Sequence, residues 1–253
     1  MKKFLLSAFL AIICVTTVYH VPSAQALELE EIWHKYAPLT DISSDAARKQ
    51  TPGRILGAPQ GRDTASFDYH WKYRWRTYEL HFAEPALLAR SIYGLALHAG
   101  DVSPKLPKEK VYNGVLGFHY SLNQVCAWLN DVAAKRQTLT PEENWLVGVL
   151  LQDGVIAIHK GGFGSTGKIR HILAAAPGKK RSFAANLRHE RLHVFWDENS
   201  AFRAREMDSW KTMTEVERAE ARNVLKNYAQ NNESQLIEEW AVKRAEASNM
   251  QLE

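Results

Sequence analysis

The sharpest alternation of apolar and polar positions runs through Phe67, Tyr69, Trp71, Tyr73 and Trp75, which interleave with Asp68, His70, Lys72, Arg74 and Arg76. A period of two puts the aromatic set on one face of a strand and the charged set on the other. The phase slips at Thr77, after which Tyr78, Leu80 and Phe82 carry the apolar set onward, so a bulge or tight turn is expected at Arg76-Thr77. An aromatic row of this kind usually packs on a core, and it also offers a surface for a sugar ring or a peptide.

Helical patterning follows. Residues 84–98 read as a helix closed by Gly100, residues 102–110 as a Pro/Lys-rich connector, and residues 120–134 as a second helix. Thr140-Pro141-Glu142-Glu143 has the residues of a capping box with proline at the first helical position, so a helix starts there. Asp153-Gly154 between two apolar runs suggests that this helix is short and gives way to a hairpin, with strands over residues 155–160 and 168–175. Pro177-Gly178 then breaks the chain ahead of Phe183–Glu198, which lacks Gly and Pro and is rich in helix formers. Thr214 opens a helix over residues 215–229, Asn231-Asn232 interrupts it, and a last helical run covers residues 233–248.

Charge and length change this picture little. The chain has 253 residues and a formal net charge of +4, too small a balance for a dedicated nucleic-acid surface. Lys2 and Lys3 precede an apolar run over residues 4–18, and Ala24-Gln25-Ala26 offers small residues where a signal peptidase reads them. Export to the periplasm or outside is therefore expected, with cleavage after Ala26. That run is too short for a stable membrane span, which needs about 20 residues. Cleavage would leave Cys126 as the single thiol, so the fold relies on its core rather than on an intrachain disulfide. Gly162 to Lys168 spells GxxxxGK, but Ile169 stands where the magnesium-binding hydroxyl would be, so a glycine-rich loop between strands is the better reading than a nucleotide site.

The residues with a chemistry of their own are His189-Glu190-Arg191-Leu192-His193. Histidines four apart lie on one helical face, so two imidazoles can reach one metal ion, and the glutamate beside them can act as general base toward water. A catalytic zinc site needs a third protein ligand. The pattern HExxHxxGxxH does not supply it, since Trp196 and Asn199 occupy the glycine and last histidine positions. Residues 233–248 contain Ile237-Glu238-Glu239-Trp240-Ala241, an acidic pair on a helix that can return to the first.

With these motifs the chain resembles the gluzincin type of zincin metallopeptidase. The resemblance covers roughly 110 residues from Pro141 to Ser248 and implies an α+β fold, zincin-like, with a small mixed or antiparallel sheet packed on the HExxH helix and the C-terminal helices. It implies Zn²⁺ as cofactor, His189 and His193 as ligands, Glu190 as general base, and Glu238 as third ligand because Ala241 follows it in a Glu-x-x-Ala pattern. Glu239 and Asp197 are the competing ligands, Asp197 also as a partner that fixes a histidine tautomer. Tyr228, His171 and Arg170 are candidates for oxyanion stabilisation. Arg191 departs from the family pattern, which keeps the back of this helix uncharged; it points away from the ligands and either meets solvent or pairs with a carboxylate.

The expected organisation is a leader over residues 1–26, an N-terminal region of unassigned role over 27–139, and a catalytic region over 140–253. The expected activity is peptide-bond hydrolysis on a peptide or protein substrate, with no nucleic-acid partner. Two other readings remain: an exported glycan- or peptide-binding protein using the aromatic strand, and a zinc amidase acting on cell-wall material.

Overall fold

The computed structural model describes residues 53–56, 73, 76–82, 84–167, 169–226, 228 and 232–248. The leader, its cleavage point and most of the aromatic row lie outside the described residues.

In chain order the elements are β1 (Gly53–Leu56), β2 (Thr77–Phe82), α1 (Pro85–Ser91), α2 (Tyr93–Ala99), α3 (Lys108–Gly114), β3 (Gly117–Ser121), α4 (Leu122–Ala134) and α5 (Pro141–Gln152). They continue with β4 (Ile156–His159), β5 (Gly162–Ser165), β6 (His171–Ala175), α6 (Phe183–Glu198), α7 (Ser200–Thr212), α8 (Glu215–Val224) and α9 (Glu233–Ala247). The protein is mixed α+β. Four strands form one sheet in the order β1-β2-β6-β3, with β2 and β6 parallel and the outer pairs antiparallel, while β4 and β5 make a separate hairpin.

The strand period of two sorts each strand's side chains between two helical layers. Tyr78, Leu80 and Phe82 of β2, Phe118 and Tyr120 of β3, and Ile172 and Ala174 of β6 join a core with Leu88, Leu95, Leu129 and Leu146 from α1, α2, α4 and α5. Leu173 and Ala175 of β6 face the other way, into a core with Leu187, Leu192 and Val194 of α6 and Ala241, Val242 and Ala245 of α9. The second face is therefore where β3 and β6 can present polar side chains to α6.

The sheet takes β2 and β3 from before residue 139 and β6 from after it, and the first core draws on both sides of that position. The sequence division at 139/140 thus falls inside a shared core. Several local expectations change for physical reasons. Residues 84–98 make two helices, because Ile92, buried in the core, takes φ −123° and ends α1 before α2 begins. Asp153-Gly154 terminates α5 instead of turning a hairpin: Gly154 has φ +64°, and Val155 N donates to Leu150 O at 2.8 Å. A left-handed glycine serves a hairpin turn and a helix end equally well, and burial of Trp145, Val149 and Leu150 keeps the segment helical. The first part of the glycine run, Gly162–Ser165, is strand β5, with Asn130 of α4 bonding both Phe163 N (2.8 Å) and Phe163 O (3.1 Å), and Thr166-Gly167 lie beyond the strand. Tyr120 belongs to β3, and α4 starts after Ser121, whose capping box with Gln124 fixes the boundary. Helix α8 stops at Val224. Helix α3 lies in what reads as a connector, and α7 follows α6 with only Asn199 between, its side chain accepting from Phe202 N at 2.9 Å.

The Cys126 thiol on α4 is 8% exposed, and burial pushes its pKa up to about 11. It is expected to resist a thiol reagent at pH 8 in the native protein and to react fully in denaturant, as thiolate access demands. Rapid native labelling would contradict this packing of α4.

Candidate metal centre

Helix α6 is opened by Ser182, whose side chain accepts from Ala185 N at 3.2 Å. It packs on β3, β6, α7 and α9, so every residue from His189 to Trp196 is buried, polar ones included. Its polar residues His189, Glu190, Arg191 and His193 are buried between layers instead of facing solvent. His189 and His193 sit one turn apart with ring centroids 5.0 Å apart.

Helix α9 brings the carboxylates. Small residues Ala241 and Ala245, both buried, let it lie close to α6. Glu239 reaches both imidazoles: its Oε2 is 3.7 Å from His189 Nε2 and its Oε1 is 3.5 Å from His193 Nε2. The ligating atoms of His189, His193 and Glu239 all lie within 4.8 Å of one another, close enough to hold one metal ion. Glu238 is also at the centre, on the opposite nitrogen: its Oε1 is 2.7 Å from His193 Nδ1. The matching position on His189 is taken by Glu246, 3.4 Å from Nδ1, which is itself held by Arg181. Each histidine therefore turns Nε2 toward Glu239 and Nδ1 toward an outer carboxylate; for His193 that contact is a hydrogen bond of the kind that fixes ring orientation in metal sites, while His189 Nδ1 is buried without one.

Glu190 lies on the flank, 7% exposed, against the backbone of β3. A Cβ on Gly117 would fall 2.7 Å from Glu190 Cγ, so only glycine at this strand position lets the carboxylate rest there. Burial raises the Glu190 pKa and Glu239 adds to it, against the pull of His189 and His193. A carboxylate with a raised pKa is a better proton acceptor.

Electrostatics at the centre favour positive charge. Burial works against a charged His193, yet Glu239, Glu238 and Glu190 hold its pKa up to about 10. Burial likewise opposes ionisation of Glu239, but His193, His189 and a hydrogen bond from Tyr228 bring its pKa down to about 2. Glu239 Oε2 is buried with no hydrogen-bond partner among the described residues. A buried carboxylate oxygen left without a hydrogen bond, here 3.7 Å from His189 Nε2, is costly unless a cation completes it, and two nitrogens with one oxygen form a zinc-type donor set.

Asp197 joins a different group. Its Oδ2 is 3.7 Å from His119 Nε2 and 3.8 Å from His171 Nδ1, and those two nitrogens are 2.9 Å apart. His119 stacks on His193 with centroids 6.1 Å apart and rings 6° from parallel. Among the oxyanion candidates, Tyr228 bonds directly to Glu239, His171 sits in the Asp197 group, and Arg170 lies 3.6 Å from Glu198 on an exposed side chain. Arg191 is paired: its Nε and Nη2 reach Glu79 Oε1 and Oε2 of β2 at 2.7 and 2.8 Å, with both side chains buried.

Sequence reasoning did not single out His119, Glu246 or Gly117. Glu246 follows Glu239 by seven residues and so shares its helical face. Glu239 also stands three residues after buried Leu236 and three before buried Val242, and an acid inside an apolar stripe was a signal available in the sequence. His119 could not have been found, because only the sheet register brings β3 beside α6.

No protein-family model, curated protein or solved structure matches this chain. The resemblance to gluzincins therefore rests on the residues just described.

Proposed function

We propose that the protein is a zinc-dependent metallopeptidase of gluzincin-like arrangement, with His189 Nε2, His193 Nε2 and the Glu239 carboxylate as zinc ligands and Glu190 as general base. The observation that carries this reading is the convergence of two imidazole nitrogens and an orphaned buried carboxylate oxygen beside a second carboxylate with a raised pKa. Glu239 takes the ligand role in place of Glu238, because its oxygens face both Nε2 atoms while Glu238 faces His193 Nδ1. Glu238, bonded to His193 Nδ1, holds that ring in the tautomer that leaves Nε2 free to donate its lone pair, and Glu246 lies 3.4 Å from the corresponding nitrogen of His189.

When bound, zinc supplies Lewis acidity, polarising a carbonyl and bringing the pKa of water toward neutrality. Glu190 accepts the proton of the attacking water at its carboxylate and passes it to the leaving amine. Strand β3 is an edge of the sheet among the described residues and carries Gly117 at the Glu190 contact, so an extended peptide pairing with this edge would run past the general base. The Tyr228 hydroxyl, bonded to Glu239, steadies that ligand.

The test is direct. Purified protein stripped with a chelator is expected to lose hydrolysis of an unstructured peptide and to regain it with added zinc, and His189→Ala is expected to lose both the ion of this centre and the activity. Peptide hydrolysis that persists in the chelator-treated protein would sink the proposal. Hydrolysis of a cell-wall amide alone would keep the ligands and change the substrate class.

A further inference from the structure

We propose a second metal site beside the first, built from His119 of β3, His171 of β6 and Asp197 of α6, that takes a divalent zinc-type ion. It shares no ligand with the first centre and does not depend on it.

The geometry of the three donors is that of a coordination polyhedron. Their mutual separations are 2.9 Å (His119 Nε2 to His171 Nδ1), 3.7 Å (His119 Nε2 to Asp197 Oδ2) and 3.8 Å (His171 Nδ1 to Asp197 Oδ2). Tetrahedral zinc with bonds of about 2.0–2.1 Å sets its ligand atoms about 3.3–3.4 Å apart, and the three observed edges bracket that spacing. Small side-chain adjustments would equalise them.

The outer contacts point the same way. His171 Nε2 is 3.0 Å from Glu198 Oε1, and Glu198 is fixed in turn by Arg76 at 2.7 Å. With the ring proton on Nε2 facing that carboxylate, His171 Nδ1 presents its lone pair to His119 and Asp197, which is the carboxylate–histidine–metal relay. The two imidazoles are almost closed off, with 7% and 6% of their side chains exposed, while Asp197 is 38% exposed. An ion would enter past Asp197 and find two fixed nitrogens behind it.

The three donors come from three elements, and the fold rather than local sequence brings them together. The strand period turns His119 and His171 toward α6, and Asp197 lies one turn after His193 on that helix. Two imidazoles with one carboxylate favour zinc and related first-row ions over magnesium or calcium, which prefer all-oxygen sets.

The test uses the full chain, freed of metal and dialysed against increasing Zn²⁺, with bound metal counted per chain by mass spectrometry and folding checked by circular dichroism. The expected result is two zinc ions per chain for the unmodified protein. His171→Ala and Asp197→Asn should each lose one, and His189→Ala should lose the other. Asp197→Asn changes a half-open side chain, so it decides the matter should His171→Ala fail to fold. Uptake of a single ion that His171→Ala and Asp197→Asn leave unchanged would overturn the inference and reduce the cluster to a hydrogen-bonded imidazole pair. An ion lost in Asp197→Asn but untouched by His189→Ala, with no other ion bound, would support this site while removing the first one.

Discussion

Glu190→Gln is expected to lower peptide hydrolysis by about 10²–10⁴-fold, the usual contribution of a positioned general base, while zinc content stays at the unmodified level. Glutamine keeps the size of the side chain and its seat on Gly117 but cannot accept the proton. Glu239→Gln should behave differently, losing the zinc of this centre and activity together, because it alters the carboxylate that faces both Nε2 atoms. Glu238→Gln should retain zinc with affinity weakened by roughly 10–100-fold, as for an outer partner of a ligating histidine. Gly117→Ala completes the series: a methyl group there collides with Glu190, and displacement of about 1 Å is expected to reduce turnover by about 10²-fold with zinc still bound. Metal analysis beside steady-state kinetics separates these outcomes. If Glu238→Gln loses zinc and Glu239→Gln keeps it, the two carboxylates have been assigned the wrong way round.

Glu79→Ala should destabilise the fold by about 3–5 kcal/mol, measured as a shift of the urea midpoint, because it removes the carboxylate that accepts two hydrogen bonds from buried Arg191. The pair joins β2 to the back of α6, opposite the metal ligands, and both groups are buried. Replacing both partners with apolar residues, Glu79→Leu with Arg191→Met, should cost much less, since both buried charges go together. A small effect from Glu79→Ala alone would mean that other groups around Arg191 carry its charge. The pair also sets an acid limit. Burial by itself would raise the Glu79 pKa, but His81 and Arg191 bring it below its ordinary 4.5. A depressed carboxylate pKa adds stability above the unfolded value, and this contribution is lost as pH falls through the folded value. The urea midpoint should therefore drop below about pH 4.5 in the unmodified protein and show a weaker acid dependence in the Glu79→Leu, Arg191→Met double variant.

Local sequence determined much of this molecule. Ser182 with an uninterrupted run of helix formers gives α6 its 183–198 span, Thr140-Pro141 and Thr214 start α5 and α8, and i,i+4 spacing alone aligns His189 with His193. Tyr78, Leu80 and Phe82 all face the core, as their alternation requires, and Arg76 N donates to Tyr73 O at 3.0 Å just before β2 begins. These features depend on neighbours within a few residues, where steric preference and hydrogen bonding act without reference to the rest of the chain.

Tertiary structure decided the remainder. Neighbouring Glu238 and Glu239 differ by 100° around their helix axis, and only the packing of Ala241 and Ala245 on α6 selects which carboxylate meets Nε2 and which meets Nδ1. Arg191 was open to solvent or to a carboxylate until β2 supplied Glu79, more than a hundred residues away. His119, His171 and Gly117 acquire their places through the register of β3 on β6 and the packing of α6 across them, contacts between segments that no local pattern encodes. Periodicity tells a helix or strand which face it has; the chain must fold before that face has a partner.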